Sequence, residues 1–223
     1  MFRSDTRFFL ETKTSSTLAG KTCVDVVQHE GAIYVLASDG YVYRQIDAGN
    51  MTFQKYPSDQ AFTSPTGFAS HSSGLYVACA AGVYRYVQLG NDPEIQLEYE
   101  VSDVGAVAVA TLFSERIVFA AVDGVVYYYS TPGKVRSIRF DGCSSIRQIV
   151  AQARPGTRGS FDVYVIGENG AGSEQVFAAY IGFDSGKTTN FDRIDGEELV
   201  FEDVESVVCG GSCYCFSDGV IYN

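Results

Sequence analysis

Tryptophan is missing from the 223 residues, and histidine occurs only at His29 and His71. Nucleophilic triads need a positioned imidazole. With two histidines, both beside turn-forming residues, and no Gly-x-Ser-x-Gly elbow, a hydrolase of that kind is not expected. Positive charge is also scarce: 16 Lys and Arg stand against 27 Asp and Glu, a net charge of −11. Such a field repels phosphate backbones and anionic lipid. It disfavours nucleic acid as the main partner and any membrane role, and favours a basic protein partner or plain solubility. No apolar run approaches the ~20 residues of a membrane helix, and Arg3, Asp5 and Arg7 interrupt the place where a secretory leader would be apolar. The expectation is a soluble, intracellular protein. Apolar spacing of the helical i, i+3, i+4, i+7 kind is almost absent, which leaves an all-β chain.

What is present is glycine in a rhythm. Apolar or aromatic runs meet across small turns at Ala32–Tyr43, Leu75–Tyr86, Ile117–Tyr129, Val163–Tyr180 and Cys213–Tyr222, and the turn glycines Gly40, Gly82, Gly124, Gly172 and Gly219 lie 42, 42, 48 and 47 residues apart. A period in the forties with several strands per unit is the mark of a β-propeller. Asp39-Gly40, Asp123-Gly124 and Asp218-Gly219 are strong hairpin signals, because a type I′ turn needs positive φ at both central residues. Ala80-Ala81-Gly82 departs from them and predicts a different turn. Runs such as Ala32–Ala37 and Ile117–Val122 are apolar at nearly every position. Both faces of those strands must therefore be covered, as between stacked blades, and not in a sheet with one wet face.

The units delimit blade one at 22–58, blade two at 64–101, blade three at 105–141, blade four at 145–195 and blade five at 204–223, in one domain spanning 1–223. The last unit lacks a fourth strand, and the strand-like segment 6–14 precedes the first. Pairing the two predicts a five-bladed propeller of four antiparallel strands per blade, closed by both chain ends in one sheet, with no exposed edge.

Leu36-Ala-Ser-Asp-Gly-Tyr-Val-Tyr43, Phe119-Ala-Ala-Val-Asp-Gly-Val-Val-Tyr127 and Cys215-Phe-Ser-Asp-Gly-Val-Ile-Tyr222 resemble the units of WD-repeat-like propellers, with tyrosine near the place of the usual tryptophan. The resemblance implies a rigid disc, most often non-enzymatic, that binds partners through its faces or central channel. A non-catalytic protein-binding or scaffold module, or a subunit of a larger complex, is the expected function. A carbohydrate-binding or glycoside-hydrolase-like propeller is the alternative.

Candidate chemistry is sparse. Asp39, Asp123 and Asp218 would gather negative charge on one face. Arg147, with Arg154 and Arg158 of the loop 154–160, forms a cationic island able to grip carboxylates or phosphates. Asp25, Asp103 and Glu205 lie in or before inner strands, where a glycosidase would hold paired carboxylates, yet no two share a register. Gly182-Phe-Asp-Ser-Gly-Lys-Thr188 is one residue short of a phosphate loop and leads into a strand-like run. Cys209, Cys213 and Cys215 lack a fourth ligand for zinc. With Cys23, Cys79 and Cys143 they read as mostly buried free thiols, and neither a metal nor a cofactor is expected. The paired tyrosines on the third strands (Tyr41 and Tyr43, Tyr84 and Tyr86, Tyr127 and Tyr129) read as wedges between blades.

Overall fold

The computed structural model describes residues 15–49, 51–56, 60–89, 92–112, 115–129, 135–153, 160–184, 187–189, 204–209, 213–217 and 220–222. Blade one consists of β1 (Cys23–His29), β2 (Ala32–Ala37), β3 (Val42–Asp47) and β4 (Thr52–Lys55). Blade two follows with β5 (Pro65–His71), β6 (Gly74–Cys79), β7 (Gly82–Leu89) and β8 (Asp92–Tyr99). Blade three holds β9 (Ala106–Leu112), β10 (Glu115–Val122), β11 (Val125–Tyr129) and β12 (Val135–Arg139), and blade four β13 (Cys143–Ala153), β14 (Ser160–Asn169), β15 (Glu174–Asp184) and β16 (Lys187–Thr189). A last sheet contains β17 (Val204–Cys209), β18 (Cys213–Ser217) and β19 (Val220–Tyr222). Every sheet is an antiparallel meander in chain order. First strands of successive sheets lie side by side, β1 by β5, β5 by β9, β9 by β13 and β13 by β17. The chain is a β-propeller.

The expectation of five four-stranded blades is corrected. Among the described residues four sheets are complete blades and the fifth glycine-marked unit is a three-stranded sheet. The physical reason is that the described residues of this unit supply three strands of its own; the segment 6–14 expected to add a fourth lies outside the described residues, as do Asp218, Arg154 and Arg158. Among the described residues no helix is long and apolar enough to cross a membrane.

The doubly apolar strands are covered on both faces. Tyr34–Ala37 and Ile117–Ala121 are buried at every position, because alternate side chains point into the layers on either side. One layer, with Leu36, Phe68, Leu75, Val77 and Tyr86, joins blades one and two. A second, with Tyr76, Ala78, Val107, Val118 and Tyr129, joins blades two and three. A third, around Phe119, Phe140, Ile146 and Phe161, joins blades three and four. Of the paired third-strand tyrosines, Tyr86 and Tyr129 are buried in the first and second of these layers, and Tyr43 is buried with Val35, Ala37 and Phe53 of its own blade.

The turns define two faces. The upper face carries the turns between second and third strands and the connections from one blade to the next. Backbone bonds tie each to the other: Phe62 N–H to the Gly40 carbonyl, Asp103 N–H to Ala80 and Phe140 N–H to Gly124. The lower face carries the turns between first and second strands. Gly40 has φ +84° while Asp39 is not left-handed, and Asp123 has +52° while Gly124 is not, so both Asp-Gly hairpins form without the expected type I′ turn, which needs positive φ at both central residues; Gly82 stands at +141° in the divergent Ala-Ala-Gly turn. Four first strands other than β9 begin with a bulge, at Cys23/Asp25, Pro65/Gly67, Cys143/Ser145 and Val204/Ser206.

Candidate functional site

Asp39 and Asp123 are exposed on the upper face, in the turns β2–β3 and β10–β11. Asp39 is occupied internally. Its carboxylate forms an ion pair of 2.8 Å with Lys21 and accepts hydrogen bonds from the Tyr43 hydroxyl (2.7 Å) and the Tyr41 N–H (3.2 Å). Partial burial works to raise its pKa, but these donors outweigh it and hold the carboxyl below its ordinary value. The hydrogen bond to Asp39, then that to Tyr43, raises Lys21 in turn.

Five other carboxylates are exposed on the same face: Glu100, Asp103, Asp123, Asp141 and Glu168. Basic groups there are mostly engaged. Lys21 holds Asp39, the Lys55 ammonium lies 3.2 Å from the Tyr41 ring centroid, and Arg147 makes a two-pronged pair with Glu174, Nη2 at 2.9 Å from Oε2. Arg139 is exposed there as well.

Arg147 sits near the upper end of β13, where the Glu174 carboxylate from the next turn satisfies it. Arg154 and Arg158, expected beside it, lie outside the described residues.

Asp25 lies at the bulge of β1, half-buried toward blade two. Its Oδ1 accepts the Val26 N–H at 2.7 Å and its Oδ2 the Phe68 N–H of β5 at 2.9 Å. The carboxylate therefore fastens one first strand to the next. Asp103 is an exposed turn residue with φ +58°, and the Glu205 side chain lies outside the described residues. Burial raises the Asp25 pKa more than its two N–H donors lower it. For a raised carboxyl, the contribution to stability is complete below the unfolded value near 4 and is lost as pH rises through the folded value. Asp25→Asn, which cannot ionise, is therefore expected to gain stability relative to the parent between about pH 3.5 and about pH 7. Urea midpoints of both proteins at the two pH values measure this, and a gap that stays constant would mean that burial does not dominate.

The histidines are tied into turns. His29 Nδ1 lies 3.0 Å from Ser70 Oγ; His71 Nδ1 lies 2.8 Å from Ser73 Oγ and its Nε2 2.6 Å from Thr111 Oγ1. Burial, then the nearby Arg116, lowers the His71 pKa. Cys79 and Cys143 are buried free thiols and Cys23 is exposed. The Cys143 thiol donates to the Ser145 carbonyl, and burial pushes its pKa up. The side chains of Cys209, Cys213 and Cys215 lie outside the described residues.

Two features had no prior signal in the reading of the sequence. Between blades two and three, Glu98 of β8 is nearly sealed, with 7% of its side chain exposed, and meets two guanidinium groups: Arg85 Nε at 3.0 Å and Arg116 Nη2. Between blades one and two, a pocket of about 240 Å³ opens beside the lower turns, lined by Tyr34, Tyr56, Tyr86, Glu30, Ser73 and Gly74 among others. Tyr56 bridges its aromatic wall, with T-shaped contacts of 5.3 Å to Tyr34 and 5.1 Å to Tyr86.

No protein-family model and no curated protein matches the chain in sequence. Solved structures match it in shape. The extracellular domain of BT4673 from B. thetaiotaomicron aligns at 14% identity and a TM-score of 0.53, over 91% of this chain and 26% of that one. BBS1N in complex with ARL6DN aligns at 12% identity and a TM-score of 0.51, over 87% of this chain and 59% of that one. The WD40 β-propeller domain of Doa1 aligns at 12% identity and a TM-score of 0.43, over 91% and 92%. The chain thus spans about a quarter of the first protein and less than two thirds of the second. At these identities the likeness concerns the fold alone.

Proposed function

We propose that the chain is a non-catalytic binding module whose upper face receives a basic segment of a partner protein, alone or within a larger complex. The observation that supports this is the charge on that face. Glu100, Asp103, Asp123, Asp141 and Glu168 are exposed together, while Lys21 and Arg147 are neutralised by acids of the face itself. A rigid, predominantly acidic surface steers a basic ligand and speeds encounter more than it deepens affinity. The candidate catalytic groups Asp25, His29 and His71 are held by backbone or hydroxyl partners, which suits a structural role.

A lysine- and arginine-rich peptide labelled for fluorescence polarisation tests the reading. The double charge reversal Asp103→Lys and Asp123→Lys, both at exposed turns, is expected to slow association about tenfold at low salt, and to leave the melting temperature nearly unchanged. Raising ionic strength should weaken parent binding toward that of the variant. Equal association rates for the two proteins would refute the assignment.

A further inference from the structure

The two inner layers that join blades one to two and two to three are built to the same register. Tyr34 pairs with Arg44 across β2 and β3, as Tyr76 pairs with Arg85 across β6 and β7. On the facing blade Leu75 pairs with Tyr86, as Val118 pairs with Tyr129. The fourth-strand ends match too: Tyr56 stands 5.1 Å from Tyr86 and Tyr99 stands 5.0 Å from Tyr129, centroid to centroid. They differ in what occupies the space beside these rings.

Between blades two and three that space is filled from within. Arg116, two residues before Val118, lays its guanidinium 5.7 Å from the Tyr76 ring centroid and bonds Glu98. Two residues before Leu75 the first interface has Ser73, in a tight turn before Gly74. Glu98, next to Tyr99, is the extra residue at a bulge of β8, between Leu97 opposite Tyr84 and Tyr99 opposite Val83; β4 sets Lys55 opposite Tyr43, passes directly to Tyr56 and has no such residue. Both plugging side chains are missing. The vacant volume is the pocket, and Ser73 and Gly74 form its wall where the arginine would emerge. At roughly 30 Å³ per water the space equals about eight waters, ample for one long side chain. Glu30, exposed at the lower turn, also lines it, and its charge acts on Tyr34 and Tyr56. An inserted guanidinium with Arg44 and Glu30 would reproduce the charge balance of Arg85, Arg116 and Glu98.

We infer that this pocket between blades one and two is a receptor for an arginine side chain of a partner protein, with the tyrosines as its walls and Glu30 as its counter-charge. A guanidinium suits such a place because it stacks on aromatic faces, is weakly hydrated and bonds a carboxylate through a planar fork. The site lies on the lower face and does not depend on the upper-face reading.

Amide chemical-shift titration with N-acetyl-arginine amide at millimolar concentration tests it on the full chain, with N-acetyl-citrulline amide as the neutral isostere and a methyl glycoside as an unrelated ring. The arginine derivative is expected to shift amides around Glu30 and Ser72–Leu75, and citrulline to bind at least about tenfold more weakly, since a charged hydrogen bond is lost. Glu30→Gln should weaken the arginine derivative about tenfold. Ser73→Arg, which supplies the plug from within, should abolish its binding, and the Asp103→Lys and Asp123→Lys reversal should leave it unchanged. Equal binding of citrulline, preference for the glycoside, or indifference to Glu30→Gln would each overturn the assignment.

Discussion

Glu98→Ala is expected to destabilise the protein by about 3 kcal/mol, a fall in melting temperature of roughly 6–12 °C for a chain of this size. Glu98 is the carboxylate between two guanidinium groups, Arg85 of its own blade and Arg116 of the next. Removing one partner of a buried pair commonly costs about 3–5 kcal/mol, because the charge left behind has neither water nor counter-ion. The arginine side chains retain 19% and 24% exposure, so the guanidinium groups can reach some solvent, and the lower end of that range applies. The loss should also be local. The Tyr129 hydroxyl, buried in the same layer without a hydrogen-bond partner among the described residues, offers an oxygen that can accept from a freed arginine, which confines the disturbance to this layer. Thermal melts of Glu98→Ala and of the double variant Glu98→Leu with Arg116→Leu separate charge from packing: an apolar replacement of the pair should recover much of the loss. A single variant as stable as the parent would show that the pair contributes nothing.

This buried acid also marks where the sequence ceases to be readable. Propeller architecture follows from local chemistry. Asp39-Gly40 and Asp123-Gly124 demand hairpins, and the unbroken apolar runs Ala32–Ala37 and Ile117–Val122 demand cover on both sides; the structure has both features. Even the divergent turn at Gly82 is visible as a missing aspartate. Charge placement follows from partners that are far apart in the chain. In Glu94-Ile-Gln-Leu-Glu-Tyr99, Glu98 reads as a solvated outer-strand residue, and only the arrival of Arg116 from the next blade makes its burial tolerable. Arg147 reads as a free cation until Glu174 meets it from the turn between β14 and β15. Asp39 reads as free negative charge until Lys21 folds back onto it. The pocket was illegible for a related reason: it is a deficit, made by a serine where the neighbouring interface has an arginine, and a deficit is visible only when two interfaces are compared. The count of complete blades depended on a pairing between distant segments that no local signal specifies.

The second large effect is expected from a single methyl group. Gly124→Ala should cost at least about 3 kcal/mol, lower the melting temperature by roughly 6–12 °C, and shift the urea midpoint without changing its slope. Gly124 follows the Asp123 turn on the upper face, where the connection from blade three passes into blade four. Phe140 N–H bonds the Gly124 carbonyl, drawing the connection down onto the turn. A Cβ at Gly124 would overlap the backbone carbonyl oxygen of Cys143 and lie 2.9 Å from its carbon. That neighbour is main chain at the start of β13, so no rotamer change can relieve the clash. Either the turn lifts and loses the Phe140 bond, or blade four moves away from the layer around Phe119 and Phe161, which are fully buried. Gly142 is the control. It lies two residues beyond Phe140, in the same connection, has φ +79°, and nothing approaches its Cβ position within 4 Å. Gly142→Ala pays only for the left-handed backbone, about 1–2 kcal/mol. The test is therefore the order of the two midpoints. A Gly124→Ala protein at least as stable as Gly142→Ala would mean that the approach of the blade connection to the upper turn is not what holds blades three and four together.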